Sequence, residues 1–108
     1  MLLGTGDCQF EDIIIGEAVV LYNPMEYIGR VNDKIIICES PTPDIYLLIH
    51  QAKLVITEKG GLVCHVAVLA NELGKPCVVG VNDITKKIHT GQMIKVVGHD
   101  RKGEIYAY

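Results

Sequence analysis

The apolar positions fall into short blocks separated by turn residues. Ile13 to Tyr22 is rich in Ile and Val, and Lys34 to Cys38 carries the run Ile35-Ile36-Ile37; both predict strands. Asn23-Pro24 and Asn32-Asp33 punctuate the chain between them as turns. Thr42-Pro43-Asp44 offers an N-cap, a proline at the first helical position and an acid in the first turn, which predicts a helix reaching about Ala52. Leu54 to Thr57 reads as a short buried strand that Gly60-Gly61 ends. Val66, Leu69, Ala70 and Leu73 then recur at the spacing of one helical face, predicting a helix from about Val63 to Leu73, with Gly74 past its end and Pro76 barring continuation. Cys77 to Val81 is again a buried strand, Asn82 to His89 a short polar segment, and Met93 to Val97 and Glu104 to Tyr106 a pair of strands. Strand, helix, strand, helix, strand through the middle implies right-handed parallel crossovers. The strand-rich flanks add a further β layer, so the expectation is an α/β domain other than a plain doubly wound sheet.

Composition narrows this to one domain, residues 1–108: the chain has 108 residues, 49% apolar and 21% charged. At that size folding buries roughly two-thirds of the extended chain's surface, and the low charge excludes a disordered chain. A net charge of -3 with scattered Lys and Arg argues against nucleic acid as a partner. No apolar run approaches the ~20 residues of a membrane span, and the N-terminus lacks a basic, then apolar, leader pattern. The expected location is therefore cytoplasmic, with no membrane partner. Cys8, Cys38, Cys64 and Cys77 lack the dense spacing of a disulfide scaffold and read as reduced thiols. Neither CxxC nor HxxxH spacing occurs, so no metal site is expected. His50 sits near a helix C-terminus, where partial positive charge is favourable without a function. His89 and His99 read as surface residues.

The segment that stands out is Thr57-Glu58-Lys59-Gly60-Gly61-Leu62-Val63-Cys64-His65, a strand end, a double glycine and a helix start with an imidazole in its first turn. Glycines permit positive φ and close approach of an anion. The unpaired amides of a first helical turn, at the positive end of the macrodipole, form a seat for a phosphoryl group. Gly60, Gly61, Leu62, Val63 and Cys64 are thus the candidate phosphate-binding residues. The same positive end disfavours imidazolium, leaving His65 neutral and nucleophilic. On a helical wheel His65 lies at the edge of the apolar stripe, about 90° from its centre at ~100° per residue, with Glu72 on the same edge. The pattern alone leaves two readings, a phosphoryl acceptor or a hydrogen-bonded first-turn histidine. Cys64 and His65, adjacent on a helix, point too far apart to form a thiolate–imidazole pair.

The run from Thr57 through His65-Val66-Ala67-Val68-Leu69-Ala70-Asn71-Glu72-Leu73-Gly74-Lys75-Pro76 to Gly80 resembles the phosphohistidine signature of the mobile, swivelling domain of phosphoenolpyruvate-utilising enzymes. Its Cys64-His65 pair looks most like the phosphoenolpyruvate synthase (pyruvate, water dikinase) branch. Gly16-Glu17-Ala18, Ile35-Ile36-Ile37 with Pro41-Thr42-Pro43, Gly91-Gln92 and Gly103-Glu104-Ile105-Tyr106 extend the resemblance over nearly the whole chain. It implies a three-layer β/β/α swivelling phosphohistidine domain with His65 as the catalytic residue, transiently phosphorylated. It implies further that the group is relayed from the nucleotide site of one partner domain to the pyruvate or phosphoenolpyruvate site of a barrel domain. Mg²⁺ and ATP or phosphoenolpyruvate would then belong to those partners, with no cofactor bound by this chain, which is a phosphotransferase domain incomplete on its own. Met1 favours a natural start and hence partners on separate chains, an excised domain being the other possibility. Val63 stands where relatives often carry Thr, and Asn71 where they usually carry Arg. The alternative function is a non-catalytic regulatory or partner-binding module that retains the fold.

Overall fold

The computed structural model describes residues 1–22, 30–40, 45–61 and 65–108, and among these the side chains of all but 46, 47, 65 and 66. In chain order the elements are β1 (Leu2–Cys8), β2 (Asp12–Leu21), β3 (Ile35–Cys38), α1 (Tyr46–Ile49), β4 (Leu54–Thr57), α2 (His65–Glu72), β5 (Cys77–Val79), α3 (Ile84–Lys87), β6 (Met93–His99) and β7 (Lys102–Ala107). The strands form one mixed sheet, ordered β1-β5-β4-β3-β2-β6-β7 and closed by pairing of β7 with β1. β2, β3, β4 and β5 run parallel, while β1, β6 and β7 join them by antiparallel pairs. None of the described helices is long and apolar enough to cross a membrane.

The strand sequences differ because the two sides of this closed sheet differ in cover. Ile35 and Ile37, with Leu54, Ile56, Ala18, Val20, Ile94, Val96 and Ile105, fill the barrel interior. The alternate residues Val19, Leu21, Ile36 and Val55 face outward, into a second apolar cluster with Ile45, Leu48 and Ile49 of the α1 region and Ala70 of α2. Parallel strands covered on both faces therefore read as unbroken apolar runs. β6 and β7 lack that cover, and their residues alternate between buried and accessible. β2 serves both halves: Asp12 to Glu17 pairs with β6, then Ala18 to Leu21 pairs with β3.

Most expected strands stand within a residue or two of their predicted bounds, and the parallel order β3, β4, β5 follows the predicted alternation with helices. Two differences have physical reasons, and a third is one of extent. β1 carries glycine at inward positions where an apolar side chain would have announced a strand. A Cβ on Gly6 would stand 2.5 Å from the Val79 carbonyl oxygen and 2.6 Å from Val81 Cγ2, so the crossing of β1 over β5 leaves no room for one. Within Asn82 to His89, predicted as merely polar, α3 forms because Ile84 and Ile88 lie one turn apart and both enter the barrel core. At its C-terminal end the first helix stops at Ile49, short of the expected Ala52, although Ala52 is buried and its amide still bonds the Leu48 carbonyl at 3.1 Å. The Asn23-Pro24 turn and the Thr42-Pro43-Asp44 cap lie outside the described residues; Asp33 of the other expected turn has a positive φ of 58°.

Close packing at Gly6 sets a stability prediction. Gly6→Ala is expected to lower the unfolding free energy by about 1–3 kcal/mol in urea titration. Gly61→Ala, where no atom lies within 4 Å of the added methyl, should stay within about 0.5 kcal/mol of the parent. Equal midpoints for the two variants would remove the close-approach argument.

Candidate functional site

The site is built at the carboxyl ends of the parallel strands β3, β4 and β5. Thr57, the last residue of β4, is buried, and its hydroxyl donates to the Lys59 carbonyl at 2.8 Å, which bends the chain out of the strand. Three backbone bonds extend the ladder past the strand ends: Glu58 N–H to the Cys38 carbonyl at 3.0 Å, Lys59 N–H to Glu39 at 3.0 Å, and Val81 N–H to Thr57 at 3.0 Å. Gly60 then takes φ 110°, a conformation open to glycine and strained for any other residue. Its carbonyl oxygen lies 3.6 Å from the Cβ position of Gly80, so the exits of β4 and β5 are packed together. Gly61 is exposed.

His65 is the first described residue of α2, which runs to Glu72; the expected helix start at about Val63 lies outside the described residues. Ala67 and Ala70 are buried, with Leu69 and Leu73 packed on the outer apolar cluster, which fixes the roll of the helix. At ~100° per residue position 65 aligns with the exposed Glu72 and lies away from the buried Ala67. A paired C-terminal bond pattern, Lys75 N–H to Ala70 at 2.8 Å and Gly74 N–H to Asn71 at 3.1 Å, with Gly74 at φ 70°, stops the helix where the sequence predicted. The first-turn amides of such a helix have no intrahelical acceptors, and no acidic side chain occupies that turn to neutralise its positive end. The structure thus describes Gly60 and Gly61 at the exit of β4 and His65 at the described start of α2. Leu62, Val63 and Cys64, the other expected phosphate-binding residues, lie outside the described residues.

Other sequence candidates sit elsewhere. His50 is exposed at the end of α1, His89 is exposed, and exposed His99 faces Glu11 at 3.3 Å. Asn71 is exposed and borders a cavity of about 270 Å³ with Phe10, Ile14 and Pro76. Ala67 and Gly74 share that cavity, which places it on the face of α2 roughly opposite position 65. It is therefore separate from the glycine turn.

Two residues near the turn carried no assigned role in the sequence reading. The Glu58 carboxylate accepts a hydrogen bond from Thr85 N–H at 2.9 Å, and Thr85 Oγ1 bonds the same oxygen. Thr85 is the second residue of α3 and is buried. The apolar pair Ile84 and Ile88 was the available signal for α3; nothing local in the sequence joins Glu58 to a residue 27 positions later. Beside them, burial pushes the Cys38 thiol up to about 12, with the Glu58 charge adding to the shift.

Comparison with known proteins adds independent information. Residues 31–101 match the family model described as PEP-utilising enzyme, mobile domain. Phosphoenolpyruvate synthase of Pyrococcus furiosus is 33% identical over 91 residues, covering 84% of this chain and 11% of the relative. Phosphoenolpyruvate synthase of Deinococcus radiodurans is 30% identical over 113 residues, covering 98% of this chain and 14% of the relative. The chain thus spans 11% to 14% of the length of these relatives, most of which lies outside the matched part. Among solved structures, the solution structure of Enzyme I (nEIt) aligns with a TM-score of 0.56 at 24% identity, over 68% of this chain and 31% of that one, a likeness of fold.

Two outcomes follow from the turn. Gly60→Ala is expected to cost about 1–2 kcal/mol, read from chemical denaturation, because a Cβ opposes its positive φ; an unchanged midpoint would contradict the strain. For Cys38 the folded thiol keeps its proton up to about 12 while the unfolded thiol releases it from 9.0. The folded state therefore binds more protons across that window, and stability falls as pH rises through it. The unfolding midpoint should drop between about pH 8 and about pH 11, and Cys38→Ala should drop less. Identical pH slopes in the two chains would rule this out.

Proposed function

Because this chain belongs to the mobile-domain family of PEP-utilising enzymes, we propose that it is a phosphoryl carrier whose His65 accepts a phosphoryl group at one partner site and donates it at another. The observation that supports this reading is the position of His65, the first described residue of α2, four positions along the chain from the Gly60-Gly61 turn at the ends of parallel strands. A neutral ring nitrogen forms the N–P bond as the bond from phosphorus to the donor oxygen breaks, and the ring's remaining N–H proton passes to solvent. In the second step the N–P bond breaks as the acceptor oxygen attacks, and the freed ring takes a proton back from solvent, so that the neutral imidazole is recovered. Covalent relay splits one difficult transfer into two easier ones.

Each part of the turn has a share in this chemistry. Gly60 and Gly61 leave backbone exposed for an anion, and the amides of residues 62 to 65 supply donors toward the phosphoryl oxygens, with Leu62, Val63 and Cys64 contributing through the main chain. The positive helix end holds the imidazole neutral before attack and stabilises the dianionic group afterwards. In the three-layer β/β/α reading of this fold, opposite sides of the closed sheet form the β layers and α1 with α2 forms the third. In-line geometry, Mg²⁺ and ATP or phosphoenolpyruvate are the part of the partner domains, one nucleotide-binding and one a barrel for pyruvate or phosphoenolpyruvate. The length of the phosphoenolpyruvate synthase relatives beyond the matched region supports such partners.

The test is transfer of label. The chain is incubated with ATP carrying ³²P at both the β and γ positions, or with [³²P]phosphoenolpyruvate, and a cell extract that supplies the partner domains. Acid-labile, base-stable label on the chain, absent from His65→Ala, is the expected result. No label from either donor, with partner binding undiminished, would leave a binding module in place of a carrier.

A further inference from the structure

We infer that Glu58 is a positioning residue for phosphoryl transfer, clamping the start of the glycine turn to α3 through Thr85. The inference rests on the carrier reading of His65.

The geometry begins with an anchor. Ile84 and Ile88 are fully or almost fully buried in the barrel core, so α3 cannot move without opening that core. The first-turn amides of α3 need acceptors, yet Asp83 at its N-cap position lies in the left-handed region, φ 57°, and makes no capping bond. Glu58 takes over that task from outside the helix. It accepts both the amide and the hydroxyl of Thr85 on one carboxylate oxygen. Bonds to an ionised acceptor are roughly twice as strong as neutral ones, and Thr85 is buried, which shields the pair from water.

What Glu58 holds matters as much as what holds it. It sits between the buried Thr57 and Lys59, and Gly60 follows. The backbone bonds to Cys38 and Glu39 tie this stretch to the neighbouring β3 edge. The nearby Lys59–Glu39 ion pair, 3.6 Å long and well exposed on both sides, contributes little. Through its side chain Glu58 is bonded to a different element, α3, giving the turn a second point of attachment. Two attachments fix both the position and the direction in which the chain enters Gly60. Glycine turns are otherwise costly to order, and donors aimed at developing charge are effective only when already in place.

Potassium phosphoramidate supplies a direct test, since it phosphorylates imidazole without a partner protein. A ring nitrogen attacks phosphorus, the P–N bond breaks, ammonia leaves, and the ring N–H proton goes to water. Labelling of His65 is the difference between each chain and its His65→Ala counterpart, which removes the signal of His50, His89 and His99. Rates and unfolding midpoints are measured for Glu58→Ala, Glu58→Gln, Thr85→Val and Thr85→Ser, at a temperature where all are folded. Glu58→Ala and Thr85→Val are expected to slow His65 labelling about tenfold, with the double variant no slower than either, and Thr85→Ser to recover the parent rate within about twofold. Rates within about twofold of the parent in folded Glu58→Ala or Glu58→Gln and in Thr85→Val would overturn the inference, leaving the pair as a cap for α3 alone. Parent labelling equal to that of His65→Ala would instead remove the carrier reading itself, a result visible before any Glu58 variant is made.

Discussion

Everything at the site depends on where β4 ends, and a buried threonine sets that point. Leu54, Val55 and Ile56 are apolar on both faces, so side-chain polarity alone would not stop the strand from slipping along its neighbours. Thr57 breaks the degeneracy. Its hydroxyl must find an acceptor once buried, and it finds one in the Lys59 carbonyl, available only where the chain turns. The bonds from Glu58 to Cys38 and from Val81 to Thr57 lock the same register from both sides. The glycine turn is thereby placed at the strand ends and the start of α2 follows from it.

The barrel interior gives that arrangement its stiffness. Strands β2 to β5 are covered inside by one apolar cluster and outside by another under α1 and α2. Large aliphatic side chains interlocked on both faces resist shear, because moving any strand opens gaps in two cores together. α3 belongs to this system through Ile84 and Ile88. It is short and solvent-facing on its other side, yet it is a fixed point, which is why a carboxylate bound to it can transmit position to a loop.

How much of this was legible in the sequence depends on the range of the interactions. Unbroken runs such as Ile35-Ile36-Ile37 and Leu54 to Thr57 announced covered strands, because both faces contribute the same signal. The double glycine followed by a histidine at a helix start was equally local, as was the Gly74 stop. β1 was hidden since its inward positions include glycines chosen for the close approach of β5, the reverse of the apolar signal a strand ordinarily gives. Glu58 lay within the segment singled out for chemistry, but its partner is on an element recognised only once Ile84 and Ile88 are seen in the core. Lone polar residues acquire meaning from a contact distant in sequence, and periodicity carries no record of it.

The placement of His65 also bears on how a carrier divides rigidity from motion. A group handed between two sites must be presented with the same local geometry at each, so the elements adjoining it gain from being stiff. Here the turn is tied to β3, to β5 and to α3, and α2 is fixed by Leu69, Ala70 and Leu73 against the outer core. In the proposed carrier role, a transfer between distant sites would then require the domain to move as one body. The energetic consequence in that proposed role is favourable: a stiff domain would order a phosphoryl seat once, on folding, and each docking event would meet donors already in position. Flexibility within the turn would instead impose an ordering cost at every transfer, and the Glu58–Thr85 clamp removes that cost where the chain enters its glycines.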